Sequence, residues 1–131
     1  MGKDLNSIIL SKMELKIMKV VWDRREVKVK DVLNVLSQTR KLAYTTISTE
    51  MEILEKKGVL VKSKKGITNF YKPLLSHRQA MTNHLKYLIK YLFDGNPEEL
   101  LEFVFQNMYE LKDLPSIMHS KCMIQSSKRL N

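Results

Sequence analysis

Residues 42–62, LAYTTISTEMEILEKKGVLVK, join a helix signal to a strand signal through one glycine, and that junction limits the folds open to the chain. Ile47, Met51 and Leu54 recur at i, i+4 and i+7, the spacing of one buried helical face. Thr45, Ser48, Thr49 and Glu52 fall on a different face at the same kind of spacing. The spacing predicts a helix from about Tyr44 to Lys57. Gly58 stands where a left-handed cap ends such a helix. Beyond it, VLVKSKK and TNFYKP read as two strands around a turn at Gly66, closed by Pro73. Lys62, Lys64, Lys65 and Lys72 make this hairpin strongly basic. The helix opens on four hydroxyls, Thr45, Thr46, Ser48 and Thr49, although threonine loses rotamer freedom against the preceding turn. Capping accounts for one hydroxyl and leaves the others without a purpose.

Upstream, Ser11 and Glu14 form an S-x-x-E capping box, in which each side chain satisfies an orphan backbone donor. Leu15, Ile17, Met18, Val20, Val21 and Trp22 follow as a wide stripe that belongs deep in a core, with Trp22 expected between this first helix and the hairpin. Val27 and Val29 alternate with Lys28 and Lys30 as a short strand-like piece. Val32, Leu33 and Leu36 then give a second helix of about two turns, and Arg40-Lys41 sits in a turn. Helix, short strand, helix, helix and hairpin in that order make a winged helix-turn-helix. The expected class is mainly α with a small β-hairpin.

Downstream of the hairpin the pattern is helical. Met81, Leu85, Leu88, Ile89 and Leu92 form an apolar stripe between Arg78 and Phe93, widened by Tyr87 and Tyr91. DGNPEE breaks it, with Asn96 as the expected N-cap and Pro97 at the first helical position. One further helix is expected to carry Leu100, Leu101, Val104, Phe105, Met108 and Leu111. Two such helices expose more apolar area than a monomer tolerates; a second copy of the chain covers it most economically, the alternative being that both helices fold back on the N-terminal core. Leu85, Leu88, Ile89, Leu92, Leu101, Val104, Phe105 and Met108 are therefore the expected dimerisation residues. The division expected is a winged-helix domain over 8–75, a helical dimerisation domain over 76–114 and a flexible tail over 115–131.

Charge separates the two halves. Residues 1–76 hold 16 Lys and Arg against 8 Asp and Glu, whereas residues 77–131 hold 7 against 6. A basic first half suits a polyanionic partner, and a nearly neutral second half suits another task. The single Cys122 forms no internal disulfide, which fits a reducing, cytoplasmic setting. No stretch approaches the roughly 18 apolar residues that span a bilayer, so no membrane insertion is expected. His77, His84 and His119 are too scattered for a metal site, no nucleophile–base constellation is recognisable, and no glycine-rich phosphate loop exists. Neither catalysis nor a cofactor nor a metal is expected.

The blocks ELKIMKVVW (14–22), LAYTTIS (42–48), LEKKGVLVK (54–62) and NFYKP (69–73) resemble the penicillinase-repressor family of transcriptional regulators. The resemblance implies a homodimeric repressor that occupies a dyad-symmetric double-stranded DNA operator. It places the third helix in the major groove, with Thr45, Thr46, Ser48 and Thr49 facing phosphates and base edges and Tyr44 bracing the helix start. Hydroxyls suit that work because they donate or accept, and a threonine methyl can meet a thymine methyl. Arg40, Lys41, Lys64 and Lys65 are then the expected backbone contacts. The sequence departs from the family at Ile53, where a basic residue is usual, and Glu50 and Glu52 add negative charge near that face. Glu102-Phe103 replaces the Asn-Phe bond cleaved in penicillinase-type members, and the cysteine cluster of copper-responsive members is reduced to Cys122. An unknown effector or protease, a protein-interaction role for the winged helix, and a small-molecule-responsive regulator are the other readings.

Overall fold

A computed structural model describes residues 4–115. Three helices, α1 (Lys12–Arg24), α2 (Val29–Leu36) and α3 (Tyr44–Lys56), precede a hairpin of β1 (Leu60–Lys65) and β2 (Thr68–Pro73). Helices α4 (His77–Leu92), α5 (Pro97–Gln106) and α6 (Met108–Lys112) follow. The described residues fall into two compact units that divide between Leu88 and Ile89.

In the first unit, α1 begins on the capping box read from the sequence: Ser11 Oγ accepts from the Glu14 N–H, and Glu14 accepts from the Ser11 N–H. Ile17, Met18, Val20 and Val21 bury its inner face against Val32 and Leu36 of α2 and Ile47, Met51 and Leu54 of α3. Each such fully buried aliphatic contributes about 2 kcal/mol relative to exposure. Glu14 is buried as well, and its second oxygen takes the Lys57 ammonium at 2.6 Å, which ties the start of α1 to the end of α3. Burial pushes the Glu14 carboxyl upward, but the hydrogen bonds from Lys57 and Ser11 and the Lys57 charge outweigh it and hold the group below the usual glutamate value.

Gly58 has φ of +82°, the left-handed residue that ends α3, and the Val59 N–H caps back onto the Leu54 carbonyl. The hairpin pairs antiparallel from Leu60↔Pro73 to Lys65↔Thr68. Its two-residue turn, Gly66-Ile67, has positive φ at the glycine alone, the type II′ pattern. Of the strand-like piece expected at Val27 and Val29, only Val27 pairs, exchanging both backbone bonds with Tyr71. Val29 is already the first residue of α2, because the Asp31 carboxylate accepts from the Lys28 N–H and satisfies an orphan donor at the helix start.

Trp22 is anchored at the exit of the hairpin. Its indole N–H donates to the Leu75 carbonyl, beyond the hairpin, and its ring lies 4.8 Å from that of His77. A partly buried indole with its N–H unpaired would be costly, and the Leu75 carbonyl satisfies it. The first three turns of α4 rest on the N-terminal segment. Asn83 donates to the Leu5 and Ile8 carbonyls, and His84 Nε2 accepts from the Leu10 N–H.

The second unit also departs from expectation. Asn96 caps α5 ahead of Pro97 as the sequence suggests, but the helix stops at Gln106 instead of running through Leu111. Asn107 interrupts it: its side-chain amide donates to the Phe103 carbonyl, and the chain restarts as α6. The tail expected over 115–131 lies, beyond Pro115, outside the described residues.

Candidate nucleic-acid interface

The apolar trio Ile47, Met51 and Leu54 fixes the rotation of α3, and everything else on the helix follows from it. Thr45, Thr46 and Thr49 are exposed on the far side, together with Glu52, Ile53 and Lys56. Ser48 and Glu50 are half-buried on the two flanks. The N-cap of α3 is Ala43, and no side chain caps it. Among the described residues, none of the hydroxyls of Thr45, Thr46, Ser48 and Thr49 has an intramolecular hydrogen-bond partner. The contrast is Thr82 in α4, whose hydroxyl bonds back to the Arg78 carbonyl. The four groups are therefore neither caps nor internal braces.

The flank of Tyr44, Ser48, Glu52 and Glu55 turns toward the hairpin. Burial raises the Tyr71 phenol pKa, and the charges of Glu52, Glu55 and Tyr44 add to the rise. Tyr71 thus marks the hairpin face that looks at α3. Cross-strand pairs share a face, so the register places Lys62 with Tyr71 and Lys64 with Asn69 on that same face. Lys65, Phe70 and Lys72 lie on the opposite face.

This division separates the wing lysines chemically. Lys62 and Lys64 are exposed, as are Arg40 and Lys41 in the turn before α3, and none of the four has an ion pair among the described residues. Lys65 is held: its ammonium reaches both Glu26 oxygens at 3.2 and 3.3 Å and sits 4.8 Å from the Phe70 ring centroid. Lys72 approaches Glu26 at 3.7 Å. The sequence reading missed the standing of Lys62 beside Lys64, although their i, i+2 spacing in a strand carries that signal. The Glu26–Lys65 pair, 39 residues apart, has no local signal.

The other expected site residues form an apolar row. Leu85, Leu88, Ile89 and Leu92 share one face of α4, away from Ala80 and Asn83, which are buried. Leu92 is 72% exposed and Leu85 48%. On α5, Leu101 and Phe105 are exposed, at 58% and 70%, with Val104 half-buried. Met108 belongs to α6. Among the described residues no group of three or more His, Cys, Asp or Glu could hold a metal ion, and no helix is long and apolar enough to cross a membrane.

A family model described as penicillinase repressor matches residues 10–119. An uncharacterized 16.5 kDa protein from the ptsI 3′ region of Latilactobacillus sakei is 30% identical over 92 residues, 70% of this chain. This chain spans 62% of the length of that relative. The solution structure of the DNA-binding domain of the repressor BlaI is 33% identical, with a TM-score of 0.51, over 60% of this chain and 93% of that domain. A structure of hsRosR-S4 covers 84% of this chain and 100% of its own at a TM-score of 0.53, and at 17% identity it shares the fold alone.

Proposed function

Because this chain belongs to the penicillinase repressor family, we propose that it is a DNA-binding transcriptional repressor, acting as a homodimer on a dyad-symmetric operator. The observation that carries the reading is the row of four hydroxyls on α3 without partners among the described residues, flanked by cations that no described acid neutralises. A surface of that kind is unsatisfied by the protein itself and suits a polyanion whose groove edges donate and accept.

In this reading α3 enters the major groove. Thr45, Thr46 and Thr49 face base edges, Ser48 lies toward the flanking backbone, and Tyr44 stands at the entry. Arg40 and Lys41 take phosphates ahead of the helix, and Lys62 and Lys64 take them from the wing. Lys65 is subordinate, because Glu26 already holds it. Ile53, exposed on the same side of α3, offers an apolar contact to a thymine methyl, and Glu52 suits a cytosine amino group. The apolar rows of α4, α5 and α6 bind a second copy, so that two α3 helices meet successive major grooves about one helical turn apart. Residues 8–75 serve as the DNA-binding part and 76–114 as the dimerising part.

The test is protection of the chain's own upstream DNA by the purified protein. The proposal expects protection of a near-palindrome with half-sites one turn apart. Binding that is absent, or indifferent to salt, removes it in favour of a protein-interaction role.

A further inference from the structure

Glu26 stands between α1 and the Val27–Tyr71 bridge, at the edge of the hairpin face that looks away from α3. One carboxylate there meets two ammonium groups from different strands, Lys65 of β1 and Lys72 of β2. The Glu26 side chain is 29% exposed, while those of Lys65 and Lys72 are 59% and 61% exposed. Both lysines therefore remain within reach of solvent and of any approaching anion. Exposed ion pairs of this kind add little to stability, too little to make it an adequate explanation.

We propose that Glu26 is an internal counter-anion that competes with DNA phosphate for Lys65 and Lys72, and so suppresses binding to DNA of arbitrary sequence. The inference rests on the DNA-binding reading above. Bound at a specific site, the protein is fixed in register by α3, and only the Lys62–Lys64 face of the wing meets the backbone. Bound at random, it samples many orientations, and every unpaired cation on any face adds affinity by releasing counterions. An acid that occupies Lys65 and Lys72 subtracts from the second mode and hardly from the first. Glu26 is thereby a specificity-determining residue that touches neither base nor phosphate.

The experiment measures binding of the full chain, over a series of salt concentrations, to two duplexes: one of random sequence and one selected by the wild-type protein from a random pool. Glu26→Gln is expected to bind the random duplex about three- to fivefold more tightly per lysine released, with a salt slope steeper by about one to two. Affinity for the selected duplex changes less, so discrimination falls. Adding Lys65→Ala and Lys72→Ala to Glu26→Gln removes the gain, while the same two substitutions in the wild type alter random-duplex binding little. A gain equal on both duplexes, or one that persists without the lysines, reflects only a lost negative charge and overturns the proposal. So does no gain at all. Wild-type protein that binds neither duplex overturns the DNA-binding reading itself, a different outcome from wild-type binding that Glu26→Gln leaves unchanged.

Discussion

Thr46 and Lys64 separate two kinds of contact that a single binding constant would merge. Thr46 is exposed on α3 with a partnerless hydroxyl, and Lys64 is an unpaired cation on the wing face that looks at α3. Lys64→Ala is expected to weaken binding similarly on all sequences and to reduce the salt slope by about 1. Thr46→Ala should instead change the preference between sequences, by about 1–3 kcal/mol at the base it meets. Equal losses from Thr46→Ala on selected and random duplexes would take that residue out of base reading. A second residue-scale test uses the lone tryptophan. Burial, and then the Lys19 charge, lower the His77 pKa below its ordinary value of 6.5. The imidazole is therefore neutral beside Trp22 at neutral pH, and its contribution to stability is present above 6.5 and lost as pH falls through the depressed value. Trp22 fluorescence should drop below pH 6.5 as the imidazolium forms and quenches it, and Lys19→Ala should move the midpoint upward. Part of this scale was legible in advance. The Ser11–Glu14 box could be read because its partners are three residues apart. Lys57 on Glu14 and Lys65 on Glu26 could not, because folding brings together residues 43 and 39 positions distant.

Helices and strands were the most readable scale, since period, cap and glycine each act locally. Periodicity set α3 and its inward trio, and Gly58, with φ of +82°, ends that helix as its position suggests. Gly58→Ala meets no neighbour within 4 Å yet must hold a left-handed backbone, so it should lower stability by about 1 kcal/mol without changing packing. Ser11→Ala should cost about 1 kcal/mol by removing one half of the α1 box, read as a shift in the denaturation midpoint. Glu14 adds a pH term. Its folded value lies below the usual one, so its stabilisation is present above about pH 4.3 and lost as pH falls through the lowered value. A melting profile of Glu14→Gln should lack that acid-side decline. What local pattern did not show was the break at Asn107. Leu101, Val104, Phe105, Met108 and Leu111 keep helical spacing across it, and spacing alone cannot register an amide that turns back to the Phe103 carbonyl. The strand reading at Val27 was half right for a related reason: the two-residue alternation passes unmarked into the first turn of α2.

For the whole molecule, the chain combines a closed, well-buried winged helix with helices that leave large apolar side chains exposed. Leu92 at 72% and Phe105 at 70% are exposed to a degree that a second copy would relieve. A Leu92→Asp, Phe105→Asp double variant should therefore sediment as a monomer while residues 1–88 keep their fold, and it should lose most operator affinity. A monomer retaining full affinity would separate dimerisation from recognition. The sequence contained the apolar rows, but no pattern in one chain states what covers them. If two copies present α3 to DNA, selection from a pool of random duplexes by the full chain will register it. The expected product is a two-fold symmetric sequence, with half-sites about 10 base pairs apart and log affinity falling linearly with log salt. Recovery of no preferred sequence, or of one without dyad symmetry, would contradict it.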